Sequence, residues 1–279
     1  MIVAFLFLFL FAFAVYLILK PSKKRSSTRN QSSTVFTNKN TYQHDKWLEE
    51  RAAKTAVKIE KFKQSFDRGF TNASGDRYAR YIFMDFETTD LPIDYTMPTI
   101  DFLDSYPYIV QAAILVFNEK QELIADYSSI IKPPPHAKFA PAAVNIHKIS
   151  KSKAESEGSD IMVMFKFIQQ HITGSSVFIA HNIKFDGFLL KLEAKRNNIK
   201  LPRFKKYCTM KETTQMCAIY KNYGSGYKYP NLKELVFHTF TDGQTGDLNL
   251  NFHDAFTDIK LCAMCFFELK LYEDLDKAG

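Results

Sequence analysis

The sequence predicts an α/β domain preceded by an N-terminal membrane-spanning helix, and three observations carry that reading. Residues 1–19 contain no charged side chain. Two short apolar runs of strand length, Tyr81–Met84 and Val177–Ala180, each lead into an acid-bearing segment, and the second continues into helical apolar spacing. Between them, Tyr108–Phe117 and Leu123–Ile131 flank a turn at Asn118–Gln121, the pattern of a β-hairpin and an antiparallel start to a sheet.

A chain of 279 residues, 46% hydrophobic and 24% charged, is long enough for one or two domains with a sizeable core, which excludes wholesale disorder and a fibrous repeat. Its charge is unevenly laid out. Residues 20–80 hold 15 Lys and Arg against 6 Asp and Glu, whereas residues 81–279 hold 22 against 24. The net +7 therefore belongs to the segment behind the apolar run, and the pI of 9.0 gives no nucleic-acid footprint for the main domain. Four cysteines are too few for a disulfide scaffold in a chain of this length. Cys262-x-x-Cys265 has the form of half a zinc site, but Cys208 and Cys217 are nine residues apart, so buried thiols in a reducing compartment are expected instead.

Taken in order, Met1–Leu19 approaches the roughly 20 residues that cross a hydrocarbon core. Ala12-Phe13-Ala14 would serve as a signal-peptide cleavage site, but no basic region precedes the run and five apolar residues follow the site, which favours a retained anchor. Lys20, Lys23, Lys24, Arg25 and Arg29 on its carboxyl side place the main domain in the cytoplasm of a single-pass membrane protein, and they stand where they can touch anionic head groups. Ser26–Asn40 has linker composition, within a basic flexible connection over residues 20–44. Leu48, Ala52, Ile59, Phe62 and Phe66 recur at helical spacing across Asp45–Phe66, an amphipathic helix that either docks on the main domain or faces a membrane or partner. Thr71–Asp76 breaks the chain, so residues 45–77 form the helix and its connection and residues 78–279 the main domain.

The chemistry-bearing residues start on the first strand. Asp85 and Glu87 are spaced i, i+2 and so share one face, where two neighbouring carboxylates repel and a hard divalent cation relieves the repulsion. The spacing alone is weak, since Asp274 and Asp276 repeat it. Thr89–Tyr108 is a loop with Asp90, Asp94, Asp101 and Asp104, either an inserted lid or a solvated connection, and the hairpin after it is closed by Pro133-Pro134-Pro135. After Val177–Ala180, His181–Asp186 opens a helix with Phe185, Phe188, Leu189 and Leu192 on its apolar side. Asp186 then lies in the first turn, where the helix dipole favours an ionised carboxylate and where simple capping is the alternative. His253–Asp258 opens the last long helix. Asp258 shares a face with Leu261, Cys262 and Cys265 and needs a partner or cation there. His253 lies five positions earlier, about 140° around a helix, so it reaches the same site only from ahead of the helix or its first turn, as a candidate general base. His181 and Asp186 have the same spacing.

Together, Asp85-Phe86-Glu87-Thr88-Thr89, His181–Asp186 and His253–Asp258 resemble the three exonuclease motifs of the DEDDh 3′-to-5′ exonucleases, the group of the proofreading epsilon subunit of bacterial DNA polymerase III, RNase T and oligoribonuclease. Ala142–Ser150 is similar to the family's His-Gly-Ile-Thr segment, and the resemblance covers about residues 80–272. It implies a ribonuclease H-like fold, a mixed sheet flanked by helices. It also implies two Mg²⁺ or Mn²⁺ ions, one on Asp85, Glu87 and Asp258 and one on Asp85 and the phosphate, with Asp186 acting partly through water. His253 would take the proton of the attacking water beside Glu87. Phe86, Thr88, Thr89, His147 and Asn182 would contact the terminal nucleotide. The function so implied is hydrolysis from single-stranded nucleic-acid 3′ ends, DNA first, by a membrane-tethered enzyme. The alternatives are an RNA 3′-end trimming enzyme and a tethered nucleic-acid-binding protein without turnover. Sugar preference turns on contacts to the 2′-hydroxyl that the sequence does not expose, and protein partners are not legible in it.

Overall fold

The computed structural model describes residues 36–75, 78–246 and 248–277. The apolar run over residues 1–19, read above as a membrane span, and the basic cluster behind it lie outside the described residues. Among the described residues, no helix is long and apolar enough to cross a membrane. The chain divides into two units between Arg51 and Ala52. Helix α1, Phe36–Arg68, starts well ahead of the expected Asp45, so residues 36–44, assigned above to a flexible connection, are helical; that stretch contains neither Pro nor Gly to stop a helix. In the first unit, the Arg51 guanidinium stacks 5.1 Å above the Trp47 ring.

The second unit is built on a five-stranded mixed sheet in the order β3-β2-β1-β4-β5. Its strands are β1 Tyr81–Thr88, β2 Ile109–Phe117, β3 Leu123–Ile130, β4 Val177–Ala180 and β5 Lys205–Cys208. The first three form an antiparallel meander, and β1–β4 and β4–β5 are parallel, which leaves β1 at the centre. The helices that follow are α2 Pro141–His147, α3 Lys151–Glu157, α4 Ile161–His171, α5 Ile183–Arg196, α6 Thr209–Glu212, α7 Thr214–Cys217, α8 Leu232–Thr241, α9 Ala255–Glu268 and α10 Tyr272–Lys277.

Strand alternation sorts the core into two layers. Ile82, Met84 and Phe86 of β1, with Ala112, Ile114 and Val116 of β2, face a layer containing Met164 and Phe165 of α4 and Leu189 and Leu192 of α5. Tyr81, Phe83, Ala113, Leu115 and Phe117 face α9 through Ile259, Cys262 and Phe266. The second layer is strongly aromatic: Phe83 meets Phe117 and Phe266 edge-on at 5.5 and 5.3 Å, and Phe117 meets Phe267 at 5.0 Å. Asp85 and Glu87 continue this α9-facing row beyond its apolar end. From the second unit's part of α1, Phe62 packs on Phe240 at 4.6 Å, within a cluster holding Leu235, Leu261 and Cys265. The thiols of Cys262 and Cys265 are buried, and burial pushes the first well above the usual thiol range and the second to about 12, so both stay protonated and are poor metal ligands.

The segment between β1 and β2 is docked on the protein. It contains a 3-10 turn, Ile100–Ser105, and Arg196 donates hydrogen bonds to the carbonyls of Leu103, Tyr106 and Pro107 at 2.6–2.8 Å. The same guanidinium pairs with Glu193 at 2.6 Å and stacks 3.8 Å above Tyr108, with both charged side chains under 10% exposed. Removing one member of such a pair leaves a buried charge uncompensated, so Arg196→Ala is expected to lose about 3–5 kcal/mol. Thermal unfolding should show a Tm lower by at least ~6 °C; an unchanged Tm would mean that other contacts hold the segment.

Candidate active site

Four carboxylates converge at the carboxyl end of β1. Alternation carries Asp85 and Glu87 onto the α9 side of the sheet. Asp258, in the first turn of α9, lies over them, and Asp186, in the first turn of α5, reaches the strand end from the other layer. Asp186 Oδ1 accepts a hydrogen bond from the Phe86 backbone N–H at 3.1 Å, which ties α5 to the acidic strand. Asp258 Oδ2 accepts one from the His253 backbone N–H at 3.1 Å, while its Oδ1 is buried with no hydrogen-bond partner.

Two residues not singled out from the sequence fix the start of α9. Asp254 is its N-cap and accepts hydrogen bonds from the Thr257 N–H and hydroxyl at 3.0 and 2.9 Å. Gln111, the cross-strand neighbour of Glu87, donates its amide to Asp254 at 2.9 Å and accepts from the Ala255 N–H at 3.2 Å. This clamp joins β2 to the helix that supplies Asp258. The S/T/D/N-x-x pattern before an apolar helix marks Asp254 as a cap in the sequence; nothing local marks Gln111.

His253 precedes α9, as its spacing from Asp258 required, in the left-handed region at φ 67°. Glu87, His253 and Asp258 each present a donor atom within 4.8 Å of the other two. His181, which shares that spacing with Asp186, does a different job. Its Nε2–H donates to the Pro230 carbonyl and its Nδ1 accepts from the Thr209 hydroxyl, both at 3.0 Å, and burial pushes its pKa down to about 4. It is a neutral tie inside the fold.

The expected nucleotide contacts are placed less openly. Phe86 points into the core on the face away from Asp85. The Thr88 hydroxyl donates to the Asp90 carbonyl at 2.6 Å, and Thr89 Oγ1 accepts from the Tyr108 N–H at 3.0 Å. His147 Nδ1 accepts from the Ile149 N–H at 3.0 Å, which puts its proton on Nε2, donated to the Thr88 carbonyl at 3.1 Å. These four side chains are buried and engaged by the protein, so they form the wall behind the carboxylates and not its open surface. Asn182 is the N-cap residue of α5 at φ 94° and makes no capping bond with its side chain.

The electrostatics suit a hard divalent cation. Burial first, then Asp186, Asp258, Glu87 and Asp254, push Asp85 well above the usual carboxylate range. Glu87 is raised to about 8 by burial and then by Asp258, Asp186 and Asp254. Asp186 reaches about 8 through burial, and Asp258 about 7 through burial and Asp254, each held back by a backbone N–H. An orphaned buried carboxylate oxygen among acids that cannot all ionise together is the setting a cation neutralises. A consequence follows for stability. Groups whose folded pKa is raised bind more protons when folded, so their contribution is full below about pH 4 and is lost as pH rises through about 7–8. In EDTA the Tm should fall between about pH 4 and pH 8 by roughly 5–10 °C, and millimolar Mg²⁺ should remove the fall. A flat profile in EDTA would show that the carboxylates ionise without mutual repulsion.

Comparisons with known proteins add the following. Residues 82–266 match the profile of the RNase_T family, described as exonuclease. No curated protein sequence matches the chain. Among solved structures, the zinc-bound complex of Escherichia coli exonuclease I with single-stranded DNA aligns with a TM-score of 0.52 at 14% identity, covering 71% of this chain and 41% of that one. The same enzyme in complex with a dT13 oligonucleotide aligns with a TM-score of 0.53 at 15% identity, covering 70% and 43%. Its product-bound form gives 0.51 at 14% identity, covering 70% and 44%. At these identities the likeness is one of fold, and this chain spans less than half the length of exonuclease I.

Proposed function

The chain belongs to the RNase T family of exonucleases, the DEDD 3′-to-5′ group, and from that premise we propose that it removes nucleotides one at a time from the 3′ ends of single strands, DNA first, using divalent cations held by Asp85, Glu87, Asp186 and Asp258. The observation that carries this reading is the buried, unpartnered Oδ1 of Asp258 in a carboxylate whose ligand atom lies within 4.8 Å of those of Glu87 and His253. Preference for single strands takes its support from exonuclease I, a relative in fold that is solved with dT13 and dA16 oligonucleotides.

Divalent cations bound there, Mg²⁺ or Mn²⁺, supply charge neutralisation and Lewis acidity for phosphodiester hydrolysis. The remaining work falls to the chain itself. Hydrolysis breaks the bond between phosphorus and the 3′-oxygen of the preceding nucleotide; water supplies the oxygen that phosphorus gains and the proton that the 3′-oxygen takes up. His253, exposed beside Glu87 and Asp258, accepts the proton the water loses. Gln111 and Asp254 keep the start of α9, and with it His253 and Asp258, in register with β1.

The test is incubation with end-labelled single-stranded DNA, single-stranded RNA and duplexes in Mg²⁺, Mn²⁺ or EDTA. A ladder shortening from the 3′ end with either cation, and none in EDTA, is expected. No product under any condition overturns the proposal, and faster shortening of RNA replaces the DNA assignment.

The reading extends to location: residues 1–19 anchor the protein in a membrane with the exonuclease domain on the cytoplasmic side, on the strength of the uncharged run and the basic residues behind it. Deleting residues 1–25 is expected to release the protein from the membrane fraction with its specific activity within about twofold of the full chain, since the carboxylates all lie in the second unit. A full-length chain found in the soluble fraction, or an exonuclease domain protected from protease on the cytoplasmic side, rules the topology out.

A further inference from the structure

We propose that the exposed face of α5 and the edge strand β5 carries the sugar–phosphate backbone of the substrate strand away from the carboxylates, an inference that rests on the exonuclease reading above. Residues 184–206 contain eight Lys and Arg against two acids, Asp186 and Glu193. Both acids are buried, at 2% and 3% exposure; Asp186 belongs to the carboxylate centre, and Glu193 is neutralised by Arg196. The surface they leave is almost purely cationic. Lys184, Lys191 and Lys195 fall at i, i+7 and i+11, one stripe of α5 about 16 Å long, and all are exposed. Arg203, Lys205 and Lys206 are exposed on β5 and the turn ahead of it, at the open edge of the sheet.

Four of these cations, Lys191, Lys195, Arg203 and Lys206, line a groove of about 670 Å³ together with the apolar Met97 and Phe204. Lys206 crosses α5 at Gly187, its Nζ 3.5 Å from where a Cβ would stand, which brings the groove to the residue next to Asp186. Lys206 and Lys191 lie beside each other, and the Lys206 ammonium is held below its usual range by burial and then by Lys191, so the pair is left wanting an anion between them. At the end nearer the carboxylates, Lys184 Nζ lies 4.3 Å above the ring of Tyr95, which packs edge-on to Phe188 at 5.5 Å and is 39% exposed. Cations tracking a concave path, with an exposed aromatic ring where the path meets the site, match the phosphates and bases of a single strand. A lipid surface would ask instead for a flat or convex basic face.

The experiment compares the full chain with its Lys191→Ala/Arg203→Ala/Lys206→Ala variant, following the binding of a fluorescent 20-nucleotide single strand in EDTA across a salt series, and hydrolysis in Mg²⁺. Each phosphate contact contributes about 0.7 to the slope of log K against log salt for single strands. The variant should therefore lose about 2 from that slope, and its KM for the 20-mer should rise at least ~10-fold with kcat retained. The preference of the wild type for a 20-mer over a trimer should shrink by the same factor. Lys191→Arg/Lys206→Arg should keep the wild-type slope, which separates lost charge from lost folding. An unchanged slope in the alanine variant overturns the track while leaving the exonuclease reading in place. A loss of binding to phosphatidylserine vesicles with oligonucleotide binding unaffected also overturns it, in favour of a membrane contact. If the wild type shortens no strand at all, the exonuclease reading fails and the track fails with it.

Discussion

Asp85→Asn and Asp258→Asn are each expected to abolish strand hydrolysis, with rates at or below about 10⁻³ of wild type, while the protein remains folded. Each substitution keeps the shape of the side chain and removes a charge that a divalent cation needs. In the metal-free protein the same change relieves repulsion, because Asp85 and Asp258 are both held above the usual carboxylate range by burial and by neighbouring acids. The variants should accordingly show a Tm in EDTA equal to or above that of wild type, and a smaller Tm gain when Mg²⁺ is added. The combination is diagnostic: a structural carboxylate would lose stability with its activity, whereas a metal ligand loses activity and gains metal-free stability. Wild-type turnover in either variant removes the carboxylate centre from the mechanism.

His253→Ala should retain metal-induced stabilisation and single-strand binding and lose about 10²–10⁴-fold in kcat, the range usual for general-base catalysis. His253 meets the centre from two directions: its backbone N–H donates to Asp258 Oδ2, and its ring offers a nitrogen within 4.8 Å of carboxylate oxygens of Glu87 and Asp258. The alanine variant keeps the first contact and loses the second. Because a protonated imidazole cannot accept a proton, the acid limb of the wild-type rate profile should be steeper than that of the variant at saturating Mn²⁺. A variant of near-normal rate with an unchanged acid limb would make His253 a residue that shapes the turn before α9 and nothing more.

How much of this was legible in the chain differs from one residue to the next, for physical reasons. Asp85 and Glu87 were readable because strand alternation is local: once Tyr81–Met84 is a strand, their shared face follows. The helical placement of Asp186 and Asp258 was readable for the same kind of reason. The two histidines at equal spacing from those aspartates were not separable, because what distinguishes them is tertiary: Pro230 and Thr209 bond to the ring of His181, whereas His253 is exposed. Thr88, Thr89 and His147 were expected to contact the terminal nucleotide, yet backbone groups take up their polar atoms, from two residues away for the Thr88 hydroxyl and His147 Nδ1 and from distant segments for Thr89 Oγ1 and His147 Nε2. Gln111 carries no signal in a strand that is otherwise apolar, since its role depends on which helix crosses the sheet above it. The cationic face was hidden by averaging: a near-neutral total over residues 81–279 conceals eight basic residues within 184–206 whose two acidic neighbours turn inward.

The four carboxylates enter the chain far apart, at 85 and 87 on β1, 186 on α5 and 258 on α9. During translation the β1–β2–β3 meander is therefore complete long before the donor set is, and a message cut anywhere between β5 and α9 yields a sheet with no Asp258. Such a product also lacks the helix that covers Phe83 and Phe117, so it presents an aromatic surface to chaperones and proteases. The order of synthesis therefore couples completion of the carboxylate set to burial of the apolar face, because one helix both supplies Asp258 and covers Phe83 and Phe117.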